Sequence, residues 1–409
     1  MFRYLPKIVV TRHFYSNVSR LSTKSSPLPS LSATTSSPSH LSTQFTGDRP
    51  SLTLPEDCVK QLKQTSEDGQ PFTLKIRGDE SEKIRCNLEL VDGQDEVKLE
   101  WRPLEDPNGL KSINYYLKLS KFRLTSLVVL TTLAGYTMGC SSFDPIVASA
   151  SLIGTGLTSA AAASLNQFLE IPFDSQMMRT RNRPLVLGQL SSGRAFSFSI
   201  ISGTIGLTTL ATFVNPLTAA LGAFNLVLYS FVYTPMKRAN IANTWVGSIV
   251  GAIPPVMGYT AATNMIDLPS ILLGLILYSW QFPHFNALSW NIRHDYARAG
   301  YRMMSVTNEQ LCVRTALRHA YLLTAYSCSM SAPFVGLTNY AFLAGSLPLN
   351  IYLIYLSYKF YQTPNATTSR KLFRYSLIHL PALIILMLIT KSTKSQQQQQ
   401  IITSTEKLT

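Results

Sequence analysis

Charge is scarce in this chain, and acid is scarcest of all. Charged residues make up 14% of 409, while apolar residues make up 46%, against about a quarter charged in an ordinary soluble protein. That composition argues against two or three soluble domains, which the length alone would allow. No acid precedes Asp48, and beyond residue 110 there are seven: Asp144, Glu170, Asp174, Asp267, Asp295, Glu309 and Glu406. Cysteine is also sparse. Cys58, Cys86, Cys140, Cys312 and Cys328 form no CxxC and no metal spacing, which excludes a disulfide framework and a zinc ribbon. The first 47 residues lack a continuous apolar core, which excludes a secretory signal.

What is present is unevenly spread. Residues 1–47 carry a net charge of +5, residues 48–110 carry −6, and residues 111–409 carry +15. The first zone places Arg3, Lys7, Arg12, Arg20 and Lys24 at wide intervals and is rich in Ser and Thr. That is the composition of a mitochondrial transit peptide and its linker. Residues 48–110 read as a polar soluble appendage. There Leu88, Leu90, Val97 and Leu99 alternate with polar residues around Asp92-Gly93, which predicts a hairpin. Gln396 to Gln400 mark residues 392–409 as a low-complexity tail, expected to be disordered.

Residues 111–391 are different in kind. Apolar spans lie near 124–140, 145–168, 191–213, 217–235, 244–262, 268–290, 313–335, 338–358 and 375–391. Most approach the ~20 residues that cross ~30 Å of hydrocarbon. The expected fold is therefore all-α, a polytopic membrane bundle of about nine transmembrane helices with a polar N-terminal extension. Odd crossings lead to connections without Lys or Arg (141–144, 214–216, 263–267, 336–337). Even crossings lead to Arg179, Arg181 and Arg183; Lys237 and Arg238; Arg293, Arg298 and Arg302; then Lys359, Arg370, Lys371 and Arg374. This is the positive-inside alternation. With a transit peptide it predicts a multi-pass protein of the mitochondrial inner membrane, its basic connections facing the matrix. A membrane-lipid environment is expected, and no nucleic-acid partner.

Ionisable groups beside membrane helices are costly and usually functional. The first cluster is Asn166-x3-Glu170-x3-Asp174, followed by Arg179, Arg181 and Arg183. Asn166 and Glu170 share one helical face. Pro172 predicts a kink or helix end before Asp174. Three oxygen ligands in a row suit Mg²⁺, and the arginines suit diphosphate oxygens; the alternative is a solvated helix end of mixed charge. In the second cluster His284, Asn291 and Asp295 fall on one helical stripe, and Asn291-x3-Asp295 repeats the first spacing. Two such pairs could grip two metal ions bridged by one diphosphate. Lys237 and Arg238 form a third grip or a routine membrane anchor. His284 could ligate a haem, serve a proton transfer, or simply bond a neighbouring helix. His319 and His379 have no partner pattern.

Together these residues resemble the UbiA-type intramembrane prenyltransferases, and within them the protoheme IX farnesyltransferases. The resemblance runs from about Tyr116 to about Thr390. It rests on Lys121-Phe-Arg123-Leu, Asn166-x3-Glu170-x3-Asp174, Met178-Arg179-Thr180-x2-Arg183-Pro184-Leu185, Tyr233-Thr234-x2-Lys237-Arg238, Gly251-Ala252-x-Pro254-Pro255, Trp280-Gln281-x-Pro283-His284-Phe285 and Asp295-Tyr296-x2-Ala299-Gly300. It implies nine helices, a Mg²⁺ cofactor held by Asn166, Glu170, Asp174 and Asp295, and catalytic roles for these with Arg179, Arg183, Lys237, Arg238 and Asn291. It further implies farnesyl diphosphate and protoheme IX as substrates, haem O as product, and His284 at the haem. Glu170 and Asn291 stand where aspartates are common in the wider superfamily, which leaves the number of Mg²⁺ ions open. Prenylation of a benzoate-type quinone precursor, a membrane carrier and a non-catalytic assembly factor are the alternatives. A homo-oligomer or a partner in haem A synthesis is left open.

Overall fold

The computed structural model describes residues 110–332 and 335–392, together with five strands between Thr43 and Pro103. It divides into two units, residues 1–106 and residues 107–409. In the first, β1 (Thr43–Phe45) pairs antiparallel with β2 (Pro50–Leu52). A separate sheet has the order β3 (Thr73–Leu74), β4 (Ile84–Leu90), β5 (Val97–Pro103). Leu88 is in register with Leu99 and Leu90 with Val97, so the hairpin expected from the alternation is there. The residues read as a transit peptide lie almost wholly outside the described residues, and the glutamine-rich tail beyond Ser392 lies entirely outside them.

The second unit is helical. Its elements are α1 (Leu110–Leu119), α2 (Phe122–Gly139), α3 (Pro145–Leu169), the single turn α4 (Ile171–Asp174), α5 (Ser192–Phe213), and α6 (Pro216–Val227). A π-helical turn (Leu228–Tyr233) runs from α6 into α7 (Thr234–Ala239). Then come α8 (Asn243–Thr263), α9 (Leu268–Asn291), the short α10 (Arg293–Arg298) and α11 (Met304–Thr307), and the long α12 (Glu309–Ser329), α13 (Tyr340–Gln362) and α14 (Ala366–Ile389). With α6 and α7 taken as one rod, nine long rods stand among the described residues. Five of them are long and apolar enough to cross a membrane by length and composition. Their outer faces carry Ile146, Phe213, Ile378 and Ile389, each more than 60% exposed, an apolar surface suited to lipid rather than water.

Helix ends follow capping chemistry rather than hydropathy. Asp144, Asn215, Asp267, Asn308, Asn339 and Asn365 each accept a backbone N–H of the helix that follows, satisfying donors that a helix start leaves open. The caps at Asn308 and Asn365 start the seventh and ninth rods earlier than their apolar runs do, and in the ninth this brings Arg370, Lys371 and Arg374 inside the helix. The seventh also ends earlier, at Ser329 instead of 335.

Rod α3 packs on α5, α2 on α8, α8 on α9, and α9 on both α12 and α14. The α2–α8 crossing is close enough that a Cβ on Gly135 would overlap the carbonyl of Pro255, and one on Gly258 the carbonyl of Thr132. Such small-residue crossings let membrane helices approach backbone to backbone. Lys391 closes the bundle, its Nζ donating to the carbonyls of Thr137 (2.6 Å) and Cys140 (2.5 Å) at the C-terminal end of α2, where positive charge is favoured.

Gly258→Leu is therefore expected to lower the thermal stability of the detergent-solubilised protein by the ~1–3 kcal/mol typical of overpacking, or more. Gly193→Ala, where an added Cβ meets nothing within 4 Å, is expected to be near neutral. Equal melting temperatures for the two variants would contradict the close crossing.

Candidate active site

Of the seven acids beyond residue 110, two are spent on helix starts. Asp144 and Asp267 are N-caps. Glu309 opens α12 and pairs with Arg293 at 3.3 Å, and Glu406 lies outside the described residues. Glu170, Asp174 and Asp295 are left.

The first two are buried together. Helix α3 ends at Leu169, and Pro172 sits at the start of the single turn α4, a position that tolerates proline because no helical N–H is needed there. The backbone bonds nevertheless stay in register: Glu170 N–H donates to Asn166 C=O (3.0 Å) and Asp174 N–H to Glu170 C=O (2.8 Å). Asn166, Glu170 and Asp174 thus remain one row, 1%, 4% and 0% exposed.

Buried carboxylates need paired positive charge. It comes from three separate segments. Lys237 of α7 donates to Glu170 Oε1 at 2.6 Å. Arg183 Nη1 bonds Asp174 Oδ2 directly and lies 3.9 Å from Glu170 Oε2. Lys121 donates to Asn166 Oδ1 at 2.7 Å and approaches Tyr229 Oη at 3.4 Å. Each is aimed by local structure. The Thr180 hydroxyl donates to the Asp174 carbonyl (3.0 Å) and folds the loop back, so that Arg183 faces the acids. Lys237 lies 4.6 Å from the ring centroid of Tyr233. Lys121 occupies the turn between α1 and α2 with φ 50°, a left-handed conformation uncommon outside glycine and often kept at functional positions.

The electrostatics follow. Burial opposes ionisation of Glu170, but Lys237, Lys121 and Arg183 outweigh it and hold this carboxyl below its ordinary range. Asp174 moves the other way: burial, with the charge of Glu170 adding to it, outweighs Arg183 and raises it. Burial, with repulsion from Arg183 and Lys237, pulls Lys121 down to about 7. Burial and the Glu170 charge push the Tyr301 phenol up. Asp174 Oδ1 and Tyr301 Oη are buried without a hydrogen-bond partner.

The connection after α9 meets this region through apolar packing. Met177 and Phe173 pack with Tyr296, Ala299, Tyr301 and Met303. Gly300, at φ 72°, makes the turn that carries Tyr301 inward, and Arg302 N–H donates to Lys237 C=O at 2.8 Å. Arg179 approaches Tyr296 Oη at 3.5 Å. Asp295, however, pairs with Arg298 on its own turn at 3.6 Å, and among the described residues no bond joins it to Glu170 or Asp174. Nor do these residues contain a cluster of three or more His, Cys, Asp or Glu side chains placed to hold a metal. Asp295 therefore does not complete the expected four-ligand set in this arrangement.

The other predicted residues face elsewhere. The Asn291 carbonyl oxygen accepts from Ser369 Oγ at 2.9 Å, and His284 Nδ1 bonds Ser376 Oγ at 2.8 Å while stacking on Trp280. The two sit seven residues apart on α9, as their partners do on α14, so this stripe zips the two helices together. Of the open readings of His284, the helix–helix bond is the one observed. Arg238 is exposed, over the ring of Phe173 at 4.2 Å. Neighbours on a helix point about 100° apart, so Lys237 and Arg238 cannot both face the acids. Lys121, Tyr229 and Tyr301 line the site although no charge-pair pattern in the sequence points to them; Lys121 stands in the sequence as the first residue of the Lys121-Phe-Arg123-Leu motif.

Residues 128–378 match the UbiA prenyltransferase family. The chain belongs to that family. Mitochondrial protoheme IX farnesyltransferase of Homo sapiens is 54% identical over 274 residues, 67% of this chain and 61% of that protein. The Saccharomyces cerevisiae protein of the same name is 34% identical over 368 residues, 82% and 78% of the two chains. This chain's match thus spans somewhat less than two thirds of its human relative. Among solved structures, digeranylgeranylglyceryl phosphate synthase aligns with TM-score 0.60 at 15% identity, covering 69% of this chain and 99% of that one. A UbiA homologue from Aeropyrum pernix aligns with TM-score 0.50 at 16% identity, covering 65% and 98%. Both show the UbiA fold.

Lys121→Met is expected to weaken Mg²⁺-dependent binding of inorganic diphosphate about tenfold, the size of losing one charge-assisted contact. Arg123→Met, exposed and two residues further on, is expected to leave it unchanged. Asn291→Ala should lower the melting temperature without altering diphosphate affinity. Isothermal titration and thermal unfolding separate these outcomes; a Lys121 variant with native affinity would remove that residue from the site.

Proposed function

We propose that this protein transfers the farnesyl group of farnesyl diphosphate to a vinyl group of protoheme IX, giving haem O for haem A synthesis. One observation carries the diphosphate half: a buried Asn-Glu-Asp row faced by Lys121, Arg183 and Lys237 from three separate segments. The acceptor half is supported by the human and fungal relatives, which are named protoheme IX farnesyltransferases.

The residues present fit a Mg²⁺ ion. One guanidinium nitrogen of Arg183 reaches both Glu170 and Asp174, so a cation position common to both carboxylates exists, and Asp174 Oδ1 is buried and unpartnered. Asn166, Glu170 and Asp174 would hold the ion, with remaining positions for water and diphosphate oxygens. Bound there, it would supply the charge neutralisation that diphosphate needs as it departs.

The chain's own groups do the rest. Lys237 and Arg183 surround the leaving diphosphate with fixed positive charge, and Lys121, which a bound diphosphate would hold protonated, adds to it as the allylic C–O bond breaks. Arg179, at the rim, meets the solvent-facing phosphate. The farnesyl carbon bonds the terminal vinyl carbon of the haem, water adds to the neighbouring carbon and loses a proton, and diphosphate departs. Tyr229, Tyr233, Phe173 and Tyr301 give the pocket apolar walls that keep other water from the reacting carbon. The basic connections lie on the side of the bundle that holds the acids, which supports an inner mitochondrial membrane location with the site toward the matrix.

Membranes containing the protein, supplied with farnesyl diphosphate and protoheme, are expected to yield a haem heavier by one farnesyl and one hydroxyl group on mass analysis. Asp174→Ala should abolish it, a loss of at least about 10³-fold if both the ion and the Arg183 geometry are lost. Full haem O formation by that variant, or prenylation of 4-hydroxybenzoate instead of haem, would contradict this reading.

A further inference from the structure

The rod from Pro216 to Ala239 is not continuous α-helix. Pro235 has no N–H to give the carbonyl of Phe231, and its ring crowds that carbonyl. The chain absorbs this as the π-helical turn Leu228–Tyr233, a device common at functional sites. Thr234 N–H then bonds the carbonyl of Tyr229 five residues back. The Thr234 hydroxyl, which is buried, bonds the same carbonyl at 2.9 Å.

This fixes the direction of every bond that follows. A carbonyl oxygen can only accept, so the Thr234 hydroxyl donates its single proton to Tyr229. Its oxygen is left to accept, and Asn166 Nδ2 lies 3.0 Å away. The amide nitrogen of Asn166 must therefore face Thr234, and its oxygen must face the other way, where Lys121 Nζ stands at 2.7 Å. Lys121 Nζ donates to that oxygen, so the lysine end of the network has the orientation that the Thr234 end requires. An amide is otherwise free to flip at little cost and would then present N–H₂ to the cations.

We infer that Thr234 is a positioning residue: its hydroxyl, aimed by the π-turn, holds the Asn166 carbonyl oxygen toward the metal and diphosphate side of the pocket. This rests on the proposed function for the identity of the ligand. Groups that orient a metal's ligands typically contribute 10–100-fold to affinity or activity.

The test uses the full-length protein in detergent, with thermal stabilisation by farnesyl thiodiphosphate read across a Mg²⁺ titration, beside haem O formation in membranes. Thr234→Val keeps the shape and loses the hydroxyl. It is expected to raise the half-saturating Mg²⁺ concentration at least about tenfold, with the apparent KM for farnesyl diphosphate rising more than kcat falls. Thr234→Ser keeps the hydroxyl and is expected to restore the wild-type value. Three results would overturn the inference: wild-type Mg²⁺ dependence in Thr234→Val, equal weakening in both variants, or a lower melting temperature of the ligand-free protein with unchanged half-saturation. If the wild type is stabilised by the analogue yet makes no haem O, the acceptor assignment fails while the comparison of variants still decides the role of Thr234.

Discussion

Two carboxylates buried at the edge of an apolar bundle set the terms for everything around them. Leaving either without a partner would cost about 3–5 kcal/mol, and in this region water is a poor substitute. The chain answers with positive groups from the turn before α2, the loop after α4 and the end of α7. Each is held by backbone geometry that a free side chain would not need: a left-handed lysine, a threonine that folds the loop, and a π-turn beside a proline. Those three segments are distant in sequence, so these ion pairs and the Lys121–Asn166 hydrogen bond tie the first four rods into one body. The same arrangement that satisfies the acids gathers cations where a diphosphate would sit.

The acids themselves titrate in opposite directions, Glu170 held ionised and Asp174 pushed toward its neutral form. Burial raises both carboxyls, and it is overcome only at Glu170, where Lys237, Lys121 and Arg183 act together. A divalent ion would relieve it, and a substrate phosphate would then take up the cations that the ion displaces. Charge balance in the pocket is thus a property of the ligand-bound state, and without a ligand Asp174 Oδ1 is buried there with no hydrogen-bond partner.

Much of this was legible in the sequence, for identifiable reasons. The helical membrane bundle, the Asn166–Glu170–Asp174 row and the turn at Pro172 follow from composition, helical spacing and the missing proline N–H, all local properties. The Leu88–Leu90 and Val97–Leu99 hairpin is local too. What spacing cannot give is how a helix is rotated against its neighbours. Asn291 and Asp295 repeat the spacing of the first row, yet Asn291 faces Ser369 of α14 and Asp295 turns to Arg298. Lys237 and Arg238 look alike in sequence, and a rotation of one residue sends one to Glu170 and the other over Phe173. Lys121 was named in a motif but given no role for the opposite reason: a basic residue before a first apolar span is what membrane orientation alone would place there. Its left-handed backbone is visible only in the fold.

The central claim is that Glu170 and Asp174 share one cation position, with diphosphate held by Lys121, Arg183 and Lys237. An experimental structure with Mn²⁺ in place of Mg²⁺ and farnesyl thiodiphosphate bound tests it most directly. The account predicts an anomalous peak between Glu170 and Asp174, Arg183 moved off the carboxylates onto phosphate, and the diphosphate within hydrogen-bond reach of Lys237. A metal bound elsewhere, or an analogue seated away from those three cations, would contradict it.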